Sequence, residues 1–306
     1  MRRKANYRNG IVRVFQRIGI IVKHGDERVV GTLDRLIAYL QAQSIDIAIE
    51  SDTVSGHGTT GIRRSDRDTI GQTCQLVIVI GGDGTFLSAA RSLVDYDVPL
   101  LGINVAYLGF LTDLNPLELS EPLDAILAGH FQEERRFLLQ TWIVREKAKA
   151  FEATALNDVV VHKCNIARLI EFDTYIDGHL VYRQRSDGLI VSTPTGSTAY
   201  ALAGGGPILH PRLNAIVLVP ICPHTLTNRP LVVDRDSRIQ IILGPGDRAE
   251  GQLTCDGQTA LELLPGDRVI IEKKPRRLRL IHPPSYDYFA TLRSKLGWNS
   301  LGQRQC

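Results

Sequence analysis

After an opening stretch without a clear period, the chain alternates two kinds of hydrophobic pattern. Arg17-Ile18-Gly19-Ile20-Ile21-Val22 reads as a strand, Leu33, Leu36, Ile37 and Leu40 fall at helical spacing, and Ile45 to Ile49 is again a short strand-like run. Such alternation predicts βαβ units and a parallel sheet. The wholly apolar Leu76-Val77-Ile78-Val79-Ile80 predicts a central strand covered on both faces, and Val98 to Ile103, with its leading Pro99, predicts its neighbour. Between them, Thr85 to Val94 predicts a helix. Past a helical segment near Leu117 to Leu127 the pattern changes to short strands separated by turn signals: Asp177-Gly178, Asp256-Gly257 and Pro265-Gly266-Asp267. The runs are Leu138 to Val144, Asp158 to His162, Arg168 to Tyr175, Leu189 to Ser192, Ile216 to Val219 and Val269 to Lys273. The expected organisation is therefore a basic arm over 1–16, an α/β domain over 17–134, a mostly β domain over 135–284, and a helix within 285–306 packing back on the first domain.

Composition agrees with a soluble two-domain protein: 306 residues, 43% hydrophobic and 23% charged. Net charge is only +3, and the one basic run, Lys273 to Leu280, alternates with apolar residues as a solvated sheet face does, so nucleic acid is not an expected partner. Cys74, Cys164, Cys222, Cys255 and Cys306 are scattered, which argues against a zinc knuckle, a redox dithiol or a disulfide framework and favours a reducing compartment. No segment approaches the ~20 consecutive apolar residues of a membrane span, and the basic amino terminus lacks the apolar core of a secretion signal. The expectation is cytoplasmic, with no membrane partner.

The strongest chemical signal is Gly81-Gly82-Asp83-Gly84-Thr85, between the apolar strand and the helix that follows it. Glycines let the backbone approach an anion, and amides and dipole at the helix start favour negative charge there, so this turn suits phosphate. Asp83 is then the odd residue. A carboxylate among phosphate-binding amides is counterproductive unless it holds a metal or handles the proton of an attacking hydroxyl. The plainer reading makes it a helix cap. Gly56-His57-Gly58-Thr59-Thr60-Gly61 matches G-x-G-x-x-G literally, but it is separated from its strand and followed by Ile62 to Thr69, which lacks the apolar stripe of the required helix; a loop is expected instead. No Walker sequence is present.

A second cluster runs from Arg183 to Leu209. Arg185 and Asp187, two apart on a strand, are expected on one face, either pairing or sharing a ligand. Thr195-Gly196-Ser197-Thr198-Ala199-Tyr200 brings hydroxyls and small side chains into one turn suited to ribose or phosphate, while Gly204-Gly205-Gly206-Pro207 reads equally as a linker. Asn157-Asp158 heads a further strand, either as a strand cap or with Asp158 accepting from a ribose diol.

In this order, GGDGT, Leu108 to Leu114 (LGFLTDL), Asn157-Asp158, Arg185 to Tyr200 (RSDGLIVSTPTGSTAY) and Leu296-Gly297-Trp298 resemble bacterial NAD kinases over roughly Ile18 to Trp298. GGDGT alone is shared with lipid kinases of the diacylglycerol and sphingosine type and, more loosely, phosphofructokinases. The resemblance implies a Rossmann-like α/β domain followed by a β-sandwich-like domain, NAD in the crevice between them, ATP as phosphoryl donor with Mg2+ or Mn2+ delivered on it, and a homo-oligomer, dimer or tetramer. It implies Asp83 as proton acceptor for the ribose 2′-hydroxyl, beside Gly81, Gly82, Gly84 and Thr85, with Gly84 and Phe110 against adenosine. The further NAD contacts it implies are Asn157, Asp158, Arg168, Arg185, Asp187, Thr198, Ala199, Tyr200, Ala201, Leu202, Ala203 and Gln258. Asp158 stands where the family usually has Glu, one methylene longer. An arginine at position 185 goes, by the same likeness, with preference for NAD over NADH, although a positive side chain beside the positive nicotinamide points the other way.

Two other classes share part of this pattern. A lipid kinase would want an amphipathic membrane-facing helix, which the sequence lacks. A non-catalytic NAD sensor would have no use for Asp83 beside phosphates. No cluster of His, Cys or carboxylates has the spacing of a dedicated metal site.

Overall fold

The computed structural model describes residues 7–8, 11–23, 25–51, 59, 61–105, 109–164, 168–225, 227–244 and 251–298. The chain forms two compact units, Met1–Arg135 with Leu278–Cys306, and Arg136–Arg277. It re-enters the first unit at residue 278, earlier than the boundary after 284 expected from sequence, because the last strand continues past the β-rich unit and ends in the parallel sheet.

In the first unit a short ribbon pairs β1 (Tyr7–Arg8) with β2 (Ile11–Val12). The segment expected to be an arm ends earlier than residue 16, since Phe15 is buried and stacks on Phe131 at 5.8 Å between ring centres. There follow β3 (Arg17–Val22), α1 (Glu27–Ala42), β4 (Asp46–Glu50), β5 (Arg63–Ser65), α2 (Arg67–Thr73), β6 (Leu76–Gly81), α3 (Asp83–Leu93), β7 (Leu100–Asn104) and α4 (Ser120–Leu127). The strands pair in parallel in the order β5-β4-β3-β6-β7. Third-second-first-fourth-fifth is the order of a doubly wound sheet, whose reversal between first and fourth strands opens a crevice at the strand carboxyl ends. Asp26 caps α1 through the Arg28 amide, and the stripe Leu33, Leu36, Ile37 and Leu40 buries against Ile18, Ile20 and Ile78. In β6, Ile78 and Ile80 belong to that cluster, while Val77 and Val79 face the other way and are equally buried. That double coverage is why the strand is apolar at every position. The stretch after Gly61 is not all loop: α2 forms on an Asp66 cap, with the Thr69 N–H donating to its carboxylate at 2.7 Å, and buries Ile70 alone among its large apolar residues.

The chain passes into the second unit within β8 (Gln132–Arg145), which forms a hairpin with β9 (Ala148–Ala155). Then come β10 (Asp158–Lys163), β11 (Ile170–Ile176), β12 (His179–Ser186), β13 (Gly188–Ser192), α5 (Tyr200–Ala203), β14 (Ala215–Ile221), β15 (Leu231–Asp234), β16 (Ile239–Leu243), β17 (Gly251–Cys255), β18 (Thr259–Leu263) and β19 (Arg268–His282). One antiparallel sheet runs β15-β14-β13-β10-β17-β18; in the other, β12, β11, β16 and the start of β19 are neighbours. Val159, Val161, Leu189 and Val191 from the first sheet join Phe172, Ile239, Ile241 and Val269 from the second in one sandwich core. The alternate residues Val160, Ile190, Val217 and Val219 pack instead around Ala201 of α5. Both faces of β10, β13 and β14 are thus covered, and their sequences read as near-continuous apolar runs. The end of β19 joins the parallel sheet at Leu280 opposite Leu100, and α6 (Tyr288–Lys295) follows it in the first unit.

Candidate active site

Strand β6 ends at Gly81, at the carboxyl edge of the parallel sheet beside the order reversal. Helix α3 starts at Asp83 rather than at Thr85, with Gly82 as its N-cap residue and no side-chain cap hydrogen bond. The Asp83 carboxylate turns away from its own helix to the loop after β7. The Phe110 N–H donates to Oδ2 at 2.8 Å and the Leu111 N–H to Oδ1 at 3.1 Å. The helix-cap reading is thereby set aside. Gly82 and Thr85 are half-buried and Gly84 is exposed, so the start of α3 is open to a ligand. Burial pushes the Asp83 carboxyl above its ordinary value, more than the Phe110 and Leu111 amides and the charge of Lys295 hold it down; the Asp113 charge adds to the rise. Asp113 and Lys295 both line a cavity of about 630 Å³ with Asn104, Thr112 and Tyr286. Of the LGFLTDL motif, Leu108 falls outside the described residues, as does most of the literal G-x-G-x-x-G stretch, Gly56 to Gly58 and Thr60.

Gly109 shows why this loop has no side chain there. A Cβ on it would lie 2.7 Å from Asp83 Oδ1, closer than Cβ contacts come, and 3.1 Å from Thr112 Oγ1, a tight contact. The Asp83 carboxylate fills the space a side chain at 109 would need.

In the second unit, Asn157, Asp158, Asp187, Ala199 and Tyr200 line a cavity of about 530 Å³. Asp256 also lines it and organises its floor. The Asp256 carboxylate accepts from the amides of Leu156 (3.0 Å), Asn157 (2.8 Å) and Asp158 (3.2 Å). It therefore caps the entry to β10, the task one reading gave to the Asn157-Asp158 pair. Asp158 itself is 4% exposed, and no hydrogen bond contributes to the pKa shift of its carboxyl. Burial, with the Asp256 charge second, pushes its pKa up to about 7. A buried carboxylate lining a cavity is placed to accept from a ligand hydroxyl. His162, Lys163 and Thr254 also line it and were not singled out from sequence.

Arg168, Arg185, Thr198, Ala201, Leu202, Ala203 and Gln258 are not part of this cavity's lining. Arg185 and Asp187 do not share a strand face: β12 stops at Ser186, and Asp187 lies in the break before β13, where it pairs with Lys163 at 2.6 Å. Arg185 points to solvent, as do Arg168, Ala203 and Gln258. Ala201 is fully buried among Val160 and Ile190, so it packs rather than binds, and Leu202 is half-buried. The Thr198 hydroxyl donates to Thr195 O at 3.3 Å, and the Thr195 hydroxyl accepts from the buried Arg136 at 3.2 Å. Gly206 is buried and Gly204 closes the last turn of α5 through the Tyr200 carbonyl, so the triple glycine is a helix ending and not a linker.

Residues 18–131 match the family model described as the ATP-NAD kinase N-terminal domain, and residues 156–283 match the ATP-NAD kinase C-terminal domain. The chain is 48% identical over 290 residues to the NAD kinase of Chromohalobacter salexigens, covering 94% of this chain and 99% of that protein. It is 49% identical over 289 residues to the NAD kinase of Cellvibrio japonicus, covering 93% and 96%. Among solved structures it is similar to yeast NADH kinase complexed with NADH, with TM-score 0.85 at 24% identity over 95% of this chain and 90% of the other. An NAD kinase from Archaeoglobus fulgidus in complex with ATP gives TM-score 0.72 at 24% identity, over 91% and 99%. At that identity the two structures share the fold.

Proposed function

Because the chain belongs to the NAD kinase family, we propose that Asp83 is the proton acceptor in its reaction, ATP-dependent phosphorylation of the 2′-hydroxyl of the adenosine ribose of NAD to give NADP. The observation that carries this is the Asp83 carboxylate held off its own helix by the Phe110 and Leu111 amides, at the mouth of a phosphate-binding turn. In the transfer, the 2′-oxygen bonds to the γ-phosphorus, the bond from that phosphorus to the β–γ bridging oxygen breaks, the hydroxyl proton passes to Asp83, and ADP departs. A ribose hydroxyl is far too weak an acid to be deprotonated beforehand by a carboxylate. Asp83 acts late, taking the proton as the bond to phosphorus forms and aligning the oxygen until then. The first-turn amides of α3 and the glycines before it suit the donor's phosphates. Magnesium, which prefers phosphate oxygens and water to an all-protein cage, enters as the magnesium–ATP complex. A homo-oligomer, by family likeness, is part of the same reading.

Asn157, Asp158, Ala199 and Tyr200 form the part of the NAD site carried by the second unit, with Asp158 accepting from a ribose hydroxyl pair. Only its ionised form has both oxygens free to accept. NAD affinity measured by calorimetry should therefore strengthen from about pH 5.5 to about pH 8.5 in the wild type and stay flat in Asp158→Asn. A flat wild-type profile removes Asp158 from the contacts. Stability follows with a definite sign. The folded pKa of about 7 exceeds the ordinary carboxylate value, so the folded state binds more protons between the two and loses stability as pH rises across that window. Asp158→Asn should melt higher than wild type at pH 8, and the advantage should vanish near pH 4.

With Arg185 in solvent, discrimination between the cationic NAD and neutral NADH rings rests on the family likeness alone. The expected result is a higher kcat/KM for NAD than for NADH; equal values overturn it.

A further inference from the structure

The position of Asp83 depends on the loop that carries the Phe110 and Leu111 amides, and that loop is anchored at its far end. The Asp113 and Leu114 amides both donate to Gly102 O, at 3.2 and 3.1 Å. The Asp113 carboxylate meets His282 Nδ1 at 2.5 Å. His282 ends β19, is 3% exposed, and stacks on Tyr286 with ring centres 3.9 Å apart. Its other nitrogen, Nε2, faces the buried Glu134 on β8 at 3.4 Å without a hydrogen bond. Among the described residues, Asp113 from the loop, Glu134 from β8 and Tyr286 from the turn before α6 are the titratable groups that face this ring.

We infer that His282 is a positioning residue for the phosphoryl transfer: by bridging Asp113 and Glu134 it fixes the loop whose Phe110 and Leu111 amides carry the Asp83 carboxylate. The inference rests on the proton-acceptor role of Asp83. An imidazolium presents an N–H to each of the two carboxylates, whereas a neutral imidazole has only one to give. Without the second, a buried carboxylate faces a bare nitrogen lone pair, and the arrangement relaxes. Burial pulls the His282 pKa down, but the hydrogen bond to Asp113 and the Glu134 carboxylate outweigh it and hold the value above that of free histidine. The bridge is therefore present below the folded-state pKa, which lies above that of free histidine, and is lost as pH rises through it, not as it falls.

The test measures kcat and NAD affinity from about pH 6 to about pH 10 in wild type, His282→Gln, Asp83→Asn and the double variant. His282→Gln should lower kcat roughly tenfold through misplacement of the carboxylate, leave NAD affinity within about twofold, and erase an alkaline limb present in the wild type. In the Asp83→Asn background it should cost nothing further, because the group being positioned is already disabled. An equal loss in both backgrounds marks a merely structural histidine and overturns the inference, as does unchanged turnover. Near-normal turnover of Asp83→Asn alone sinks the role of Asp83 itself, a separate outcome in the same data. If His282→Gln does not fold, Glu134→Gln removes one of the two carboxylates. Its alkaline limb should move to lower pH, and an unmoved limb overturns the inference equally.

Discussion

Asp83→Asn should turn over NAD about 10²- to 10⁴-fold more slowly than wild type, the usual range for a lost general base. The substitution keeps the shape of the side chain, and its one remaining oxygen still accepts from one of the Phe110 and Leu111 amides. What it removes is the capacity to take a proton. NAD affinity should change much less, since the glycine turn and the Asn157, Asp158 and Tyr200 side chains are untouched. The acid limb offers a second reading of the same experiment. Burial raises the Asp83 pKa, so wild-type kcat should fall with acidification at a pH above the ordinary carboxylate range, and Asp83→Asn should lose that limb. Near-normal turnover would return this carboxylate to a structural role.

Gly109→Ala is expected to be the next most damaging change, lowering kcat about 10²-fold with a melting temperature within a few degrees of wild type. The added methyl would sit 2.7 Å from Asp83 Oδ1 and 3.3 Å from its Cγ, so either the carboxylate or the loop must move. The carboxylate is held by amides from the very next residues, Phe110 and Leu111, so the two cannot move independently. A shift near 1 Å at a reacting group is enough for a hundredfold loss. Kinetics and circular-dichroism melting on one preparation check it. Full activity in Gly109→Ala would show that the carboxylate has slack and that its observed position is not the working one.

These two residues also mark the limit of what the amino-acid pattern alone discloses. The parallel sheet of βαβ units, though not its strand order, was legible because β6 is apolar at every position and the α1 stripe repeats at helical spacing, signals that tertiary context reinforces. Asp83 was legible because a charged residue interrupts a glycine turn built for anions. Its partners were not: Phe110 and Leu111 lie 27 and 28 residues away, and a backbone amide carries no sequence signature. Asp256 escaped for the same reason. Its carboxylate holds the Leu156, Asn157 and Asp158 amides across 98 to 100 residues, whereas locally it reads only as the first half of an Asp-Gly turn. Its positive φ of 51° suits that turn and aims the side chain at β10. Arg185 and Asp187 were misread by strand periodicity, which holds only within one strand, and β12 ends between them. Helix α2 was missed because Ile70 alone supplies its large buried apolar contact, too little to make a period. Sequence shows which residues are unusual; the pairing of distant backbone with side chain decides what they do.

The most direct measurement is a coupled assay on the purified chain given NAD, ATP and magnesium, with product read by an NADP-specific dehydrogenase and diacylglycerol and sphingosine tried as rival acceptors. NADP should form only when both NAD and ATP are present, stop in chelator, resume on adding magnesium, and fall with Asp83→Asn in the same preparation. Phosphate transferred to lipid, or NAD bound without any NADP formed, would contradict it.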